Sequence, residues 1–336
     1  MSSSRKSRIA SSMSNVMFTN AVYFPNYRIY QGDTPGMLNY SCINHVYYAY
    51  ASVSADGGVF LSDEWADAGA PVDGVQGGLG SLMHLKQKHP HLRVVLSVGG
   101  GNSSEVFPLV ASNTLLRDNF ARSARGLVEA SGLDGIDIAW EYPCDAQQGY
   151  DFLALLAAIR IHLPEEHYIL TAALPANKAI LQFLDLKLVT EPPLAAVRHE
   201  QGGDLRISGG FVSHVQGVPA KEDPAGHPDI WAKLSPLLGA GHKFKGVGGA
   251  EDGTFEYNQL PRKGCKEVVD KRHVAAQCVG ADGGFVTYDN PDTVKIKAGF
   301  CKQKGLGGLF YWNGPADAKE KSRSLIAAGF RALHSS

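Results

Sequence analysis

Short apolar runs and amphipathic stretches alternate along most of this chain. The apolar runs predict strands at 20–24, 43–53, 92–98, 168–174 and 308–312. Apolar positions at helical spacing predict helices at 78–89, 114–130, 150–163, 293–304 and 316–333. Strands that alternate with helices in this way form parallel βαβ units.

The number of these units and the apolar character of the strands favour one architecture. Strands that are apolar throughout are typical of a parallel sheet that is covered on both faces. The chain has 336 residues, which is enough for one (β/α)8 TIM barrel. We therefore predict the α/β class and a TIM barrel, with active residues at the carboxyl ends of its strands.

The alternation fails between about residues 175 and 285. Turn-rich segments at 239–278 predict an inserted subdomain, whereas 191–236 shows no clear strand where a barrel needs its sixth and seventh strands. We expect a disordered segment at 1–17, a barrel at 18–238 and 280–334, and an inserted subdomain at 239–279 between the last two strands.

The strongest chemical signal lies at 133–143. Asp137, Ala139 and Glu141 alternate there with apolar residues, which predicts a strand with these three side chains on one face. Asp134 precedes them by three residues. This row of side chains, formed by Asp137, Ala139 and Glu141, fits a site for acid chemistry. The same residues also fit a strand whose acids only face solvent or a polar barrel interior.

Two further strand ends favour the functional interpretation. The strand at 92–98 runs into Gly99 and Gly100, and paired glycines allow a backbone to approach a bulky group closely. The strand at 308–312 ends in Trp312, whose aromatic face suits the apolar face of a sugar ring. Each motif alone fits a simple turn or a core tryptophan, but together they predict a carbohydrate site at the barrel mouth.

Charge and composition exclude several other classes. The formal net charge of −1 and the isoelectric point near 6.9 give no electrostatic signature of nucleic-acid or membrane-surface binding. No apolar run is long enough to span a bilayer. The first 15 residues contain serines and basic residues without an apolar core, so they do not resemble a secretory signal. The chain is expected to be intracellular, or secreted with its signal removed.

Cysteine and histidine spacing predicts no metal site. The five cysteines are widely spaced and include no C-x-x-C pattern, so we expect mostly free, packed thiols. His84, His89 and His91 match none of the usual ligand patterns.

These motifs resemble glycoside hydrolase family 18, the chitinases. The family pattern D-x-x-D-x-D-x-E corresponds to Asp134, Asp137, Ala139 and Glu141, and its S-x-G-G motif corresponds to residues 97–100. Three further segments are similar to family motifs: 22–27 to Y-x-x-N-W, 48–50 to Y-A-F, and 286–312 to the last βα unit. Residues 241–261 resemble the small α+β insertion that deepens the cleft in many members of the family.

The resemblance implies retaining hydrolysis of chitin or chitooligosaccharides, without metal or organic cofactor, by a protein that we expect to be a monomer. It implies that Glu141 is the general acid and that Asp137 and Asp134 adjust the protonation of a carboxylate expected at position 139. The sugar-contacting residues that it implies are Tyr23, Tyr50, Gly100, Gly101, Tyr142 and Trp312.

Ala139 departs from this pattern, because a methyl group cannot orient the substrate acetamide or offset a positive charge. We expect strongly reduced turnover with substrate binding largely kept. Two explanations compete: an engineered knockout of an active chitinase, which the intact Glu141 favours, or a natural chitin-binding lectin. An endo-β-N-acetylglucosaminidase that acts on glycoproteins is a further alternative.

The remaining departures concern the loops and the far wall. Gly101 stands where the family often has tryptophan, and the strand-six and strand-seven motifs are absent. Codons for residues 226–234, read one base later, can encode the strand-seven motif. We hypothesise that about 222–236 is translated out of frame. Resequencing the DNA tests this idea, and one uninterrupted frame would end it.

Overall fold

The computed structural model of the protein describes residues 17–174, 181–184, 255–279 and 285–335. The predictions for 1–16, for 191–236 and for the first part of the insertion lie outside these residues. In chain order the strands are β1 (Thr19–Pro25), β2 (His45–Val53), β3 (Val59–Leu61), β4 (Pro71–Val72), β5 (Val75–Gln76), β6 (Arg93–Gly99), β7 (Gly135–Ala139), β8 (Ile169–Ala172), β9 (Glu267–Asp270), β10 (Ala275–Val279), β11 (Phe285–Tyr288) and β12 (Gly308–Tyr311).

The main sheet has the strand order of a barrel wall. Six parallel strands lie side by side in the order β12, β1, β2, β6, β7 and β8, and β3 adds an antiparallel strand to β2. The first strand therefore pairs with both the second and the last. This pairing brings the two ends of the described chain together and agrees with an α/β TIM-barrel-like fold, of which the described sheet forms half.

Six α-helices of the described residues accompany the strands. They are α1 (Gly77–Lys88), α2 (Phe107–Ser112), α3 (Thr114–Ser131), α4 (Ala146–His162), α5 (Pro291–Gln303) and α6 (Leu325–His334). Helix α3 packs against α4, and α5 packs against α6. Side-chain caps define several starts, because Asn113 accepts from the first backbone N–H groups of α3 and Asp145 accepts from that of Gln148 in α4. No helix of the described residues is both long enough and apolar enough to cross a membrane.

Side chains that alternate along the strands pack into two apolar layers, one on each face of the sheet. Phe24, Tyr48 and Trp140 are buried in the layer that contains the helices. Tyr23 and Tyr47 belong to a second, smaller cluster inside the curved sheet, together with Ala21, Ala49 and Val95. Because neighbouring residues of a strand face opposite sides, every second position lines the interior of the sheet. The candidate site is built on this inner layer.

Most predicted elements agree with the structure, and one helix differs clearly. The helix expected at 316–333 begins only at Leu325. Ser324 caps it by accepting a hydrogen bond from Ala327 N at 3.0 Å, and the Asp317 carboxylate accepts from Ser324 Oγ at 2.6 Å and from Leu325 N at 2.8 Å. These polar contacts keep the preceding segment out of the helix.

A separate antiparallel sheet lies near the predicted insertion. Strand β10 pairs with β9 on one side and with β11 on the other, and Val279 of β10 is opposite Phe285 of β11. The domain boundary expected at 279/280 therefore falls inside this sheet. Strand β11, which we expected in the last βα unit of the barrel, pairs with β10 of the small sheet among the described residues, and Tyr288 Oη donates to Glu267 Oε2 at 2.7 Å.

Candidate active site

Asp137 is a buried carboxylate held by three hydroxyl groups. It lies on β7 with 2% of its surface exposed. Its Oδ2 accepts hydrogen bonds from Tyr23 Oη at 2.9 Å and from Ser97 Oγ at 2.7 Å. Its Oδ1 accepts one from Thr171 Oγ1 at 2.7 Å. Burial raises the pKa of the Asp137 carboxyl, while the three donated hydrogen bonds act in the opposite direction.

Ala139 is the next residue on the same face of β7. It is 1% exposed, and its carbonyl oxygen accepts a hydrogen bond from Gly100 N at 2.8 Å. Its methyl group brings no charge to the row. The inner face of this strand therefore presents one carboxylate, that of Asp137, followed by an apolar position.

Glu141 lies two residues beyond the last residue of β7, at the carboxyl end of the sheet. Its backbone N–H donates to Ser104 Oγ at 2.8 Å, and Ser104 Oγ donates to Gly100 O at 3.0 Å. These bonds fix the Glu141 backbone to the loop after β6. The side chain reaches solvent, and partial desolvation raises the pKa of its carboxyl above the ordinary value. Such a group stays protonated to higher pH, as a general acid requires.

Aromatic rings form a wall beside the carboxylates. Trp312 stacks on Tyr50 with ring centroids 5.8 Å apart and an interplanar angle of 22°, and it contacts Tyr23 at 5.2 Å. Burial, followed by the charges of Glu141 and Asp137, raises the pKa of Tyr50. Tyr50 and Trp312 are only partly buried and present aromatic surface next to the acids.

Gly99 at the end of β6 and Gly100 after it serve the protein's own packing. A Cβ atom on Gly99 would lie 2.5 Å from Ala139 O, and one on Gly100 would lie 2.8 Å from the Tyr50 ring. Both residues also have positive φ angles, of 118° and 77°. At Gly101 the nearest atom to a Cβ would be Glu141 Oε2, 3.9 Å away. The bulky group that the backbone approaches closely at Gly100 is therefore the Tyr50 ring of the protein itself, whereas Gly101 is the open position.

Asp134 lies at the opposite end of β7 from Glu141. Its Oδ2 is 2.7 Å from Lys86 Nζ and accepts from Val94 N at 2.7 Å, and its Oδ1 is 3.2 Å from Arg93 Nη1. These contacts do not support the expectation that Asp134 adjusts protonation in the row, which stays a prediction. It precedes the strand, and strand geometry separates it from the carboxyl end that carries Glu141. Its contacts fasten the start of β7 to β6 and α1.

The other predicted contact residue, Tyr142, follows Glu141 and is 36% exposed. Burial and the Glu141 charge raise the pKa of its hydroxyl. Two polar residues of this site, Thr171 and Ser104, were not identified from the sequence. A threonine in an otherwise apolar strand was the only signal for Thr171. Among the described residues no group of three or more His, Cys, Asp or Glu side chains could hold a metal ion.

Comparison with known families agrees with this geometry. The chain matches the model of glycosyl hydrolases family 18 over residues 19–191 and 231–317. The residues between the two matched stretches, 192–230, overlap the segment in which the sequence showed no clear strand.

Related proteins and solved structures extend the match over nearly the whole chain. Chitinase 1 of Aphanocladium album is 31% identical and aligns with 95% of this chain and 86% of its own length. Endochitinase 1 of Metarhizium robertsii is also 31% identical, over 94% of this chain and 85% of that protein.

The Ostrinia furnacalis Group IV chitinase structure superposes with a TM-score of 0.73, at 17% identity, over 95% of this chain and all of that one. This likeness supports the α/β TIM-barrel-like fold. The family match and the two relatives together show that the chain belongs to glycosyl hydrolases family 18.

Proposed function

We propose that this protein is a chitinase-type glycoside hydrolase. It would cleave β-1,4-linked N-acetylglucosamine polymers by substrate-assisted retaining hydrolysis, with turnover strongly reduced by Ala139. The observation that carries the proposal is Glu141, a carboxyl group of raised pKa at the carboxyl end of β7, whose backbone is fixed through Ser104 to the loop after β6 and whose Oε2 faces the open position at Gly101. The related proteins from Aphanocladium and Metarhizium, both named as chitinases, support the same substrate class.

The reaction would proceed without a nucleophile from the protein. Glu141 would transfer its proton to the glycosidic oxygen as the bond from that oxygen to the anomeric carbon breaks. The carbonyl oxygen of the substrate's own 2-acetamido group would attack the anomeric carbon and form an oxazolinium ion. Glu141, now ionised, would take a proton from a water molecule, which opens the ion and retains the configuration.

Ala139 removes the group expected to assist the acetamide. A carboxylate at this position would accept the acetamido N–H and stabilise the positive charge of the oxazolinium ion. Asp137 is about 6.6 Å away along the strand and is engaged by three hydroxyls, so it does not substitute. Loss of one such preorganised group commonly lowers the rate by about 10² to 10³.

A chitin-binding lectin is the second candidate, and Ala139 is the observation that favours it. The stacked pair of Tyr50 and Trp312 would still contact sugar rings when the row lacks its middle acid. An endo-β-N-acetylglucosaminidase acting on glycoproteins would use the same acid, and the aromatic wall at Trp312 favours chitin over it.

The small antiparallel sheet would belong to an insertion that deepens the cleft. Arg28, which follows β1, forms ion pairs with Asp33 and with Glu256. Glu256 precedes β9, so these contacts connect the segment before the small sheet to the mouth of the barrel. A polymer in the cleft would then have the insertion on one side.

Calorimetric titration of the purified protein with an N-acetylglucosamine hexamer tests the substrate class. We expect binding of this hexamer and no binding of a glucose hexamer with the same β-1,4 linkage, because only the former carries acetamido groups. Equal binding of both sugars, or of neither, would contradict the proposal.

A further inference from the structure

The two oxygens of the Asp137 carboxylate are held unequally. Oδ2 has two hydroxyl donors, Tyr23 and Ser97, whereas Oδ1 has a single one among the described residues, Thr171 at 2.7 Å. Loss of either donor at Oδ2 leaves the other in place. Loss of the Thr171 hydroxyl leaves Oδ1 buried without a donor from the described residues, which is the more costly change for a carboxylate.

Strand pairing explains why Thr171 reaches this oxygen. Asp137 is paired in register with Ser97 of β6 on one side and with Thr171 of β8 on the other. Ile169 lies two residues before Thr171, on the same face, and packs against the inner aromatic cluster. Thr171 therefore points into the interior of the sheet, where it is 3% exposed. A β-branched side chain in a strand has a restricted χ1 angle, which favours a fixed direction for the hydroxyl.

The absence of a carboxylate at position 139 makes the hydrogen bond from Thr171 to Asp137 more important. The residue that follows Asp137 on the inner face is Ala139, whose methyl group offers no hydrogen bond. The orientation of the Asp137 carboxylate in the described residues thus depends on the hydroxyls of Tyr23, Ser97 and Thr171. Each of these belongs to a different strand, and Thr171 alone acts from the β8 side.

We propose that Thr171 is a positioning residue, whose hydroxyl holds Oδ1 of Asp137 and fixes the direction of this carboxylate beneath the sugar-binding face. The consequence for hydrolysis rests on the proposed function. The orientation and charge of Asp137 are properties of the protein itself and can be measured without any turnover.

The test compares Thr171→Val with Thr171→Ser. Valine keeps the shape of the side chain and removes the hydroxyl, whereas serine keeps the hydroxyl. Carbon-13 NMR of protein labelled at the aspartate carboxyls follows the Asp137 titration, and Asp137→Asn assigns the signal. The other titratable groups near Asp137, the Tyr23 and Tyr50 phenols, have raised pKa values and stay neutral over this range, and Glu141 carries no label.

We expect Thr171→Val to move the Asp137 midpoint upward by about one pH unit, because a hydrogen bond to the charged form is lost. Thr171→Ser should leave the midpoint in place. An unchanged midpoint in Thr171→Val overturns the proposal, even if the variant melts at a lower temperature, since a purely structural role lowers stability without moving the titration. If Thr171→Val does not fold, Thr171→Ser is compared with Ser97→Ala, which removes one donor at Oδ2. We then expect the midpoint to rise only in Ser97→Ala, and an equal rise in both variants overturns the proposal.

A second readout separates this inference from the proposed function. In the Ala139→Asp background, Thr171→Val should lower kcat by about tenfold with little change in KM, and Thr171→Ser should restore it. If Thr171→Val shifts the Asp137 titration but the Ala139→Asp protein does not hydrolyse chitin, the positioning role of Thr171 is supported and the proposed function is contradicted. Hydrolysis by Ala139→Asp with an unshifted titration in Thr171→Val would do the reverse.

Discussion

Lys86 and Asp134 form an ion pair, with 2.7 Å between Nζ and Oδ2, at the end of β7 that lies farthest from Glu141. The same carboxylate accepts the backbone N–H of Val94, at the start of β6. The first acid of the motif therefore joins strands and a helix at the amino end of the sheet, whereas Asp137 and Glu141 lie toward its carboxyl end.

This placement predicts a separation of stability from binding. Asp134→Ala should lower the free energy of unfolding by about 2 kcal/mol, because Val94 N–H loses its acceptor along with the ion pair. Asp134→Asn can still accept from Val94 and should lose about 1 kcal/mol or less. Chemical denaturation measures both. Affinity for the N-acetylglucosamine hexamer should not change, and a large loss of affinity in a folded Asp134→Asn protein would restore this residue to the site.

Adjacent glycines should respond differently to the same substitution. Gly100→Ala places a Cβ against the Tyr50 ring and forces alanine into a positive φ, so we expect about 2 kcal/mol of destabilisation and weaker sugar binding. Gly101→Ala meets nothing closer than 3.9 Å and should be tolerated. Thermal unfolding and sugar titration of the two variants form a matched comparison. Equal effects would show that Tyr50 does not pack on Gly100 as described.

Of two tryptophans near the row, we expect Trp312 to serve sugar binding and Trp140 to serve stability. Trp312→Ala removes the ring stacked on Tyr50, and we expect the hexamer affinity to fall at least about tenfold with a modest change in stability. Trp140 is 2% exposed and stacks on Phe107 in the layer between sheet and helices. Trp140→Ala should therefore cost about 3 kcal/mol or more of stability. Unchanged sugar binding in Trp312→Ala would remove this ring from the site.

The raised pKa of Glu141 predicts a direction for the pH profile. A general acid acts only in its protonated form. The raised pKa keeps Glu141 protonated at pH values above 4.5, the ordinary pKa of a glutamate side chain. Hydrolysis by Ala139→Asp should therefore persist above pH 4.5 and decline as the pH rises through the raised pKa. Glu141→Gln in that background should abolish hydrolysis and keep binding. Hydrolysis that survives Glu141→Gln would assign the proton donor elsewhere.

The sequence predicted the strands of the described wall well, because their apolar runs are short and rich in β-branched and aromatic residues, which favours strand over helix. The boundaries of β1 and β6 agree within a residue or two. The start of α6 was missed, since capping by Ser324 and Asp317 depends on a contact eight residues apart in the chain. Periodicity alone does not distinguish such a segment from helix.

The site itself was predictable only in part. The alternation around Asp137 identified the buried acid, and family resemblance pointed to Glu141. The partners of Asp137 come from three other strands, so a pattern within one segment cannot reveal Thr171. For Asp134 the motif spacing suggested a common site, yet strand geometry places it at the opposite end, where Lys86 reaches it.

Hydrolysis of the N-acetylglucosamine hexamer, compared before and after Ala139→Asp, addresses the proposed chemistry most directly. Initial rates and the anomer of the first product should be recorded for both proteins. We expect the rate to rise by about 10² to 10³ on introduction of the carboxylate, with the β-anomer as the initial product. No gain in rate, in a variant that folds and still binds the hexamer, would contradict the assignment of this row as a chitin-cleaving site suppressed by Ala139.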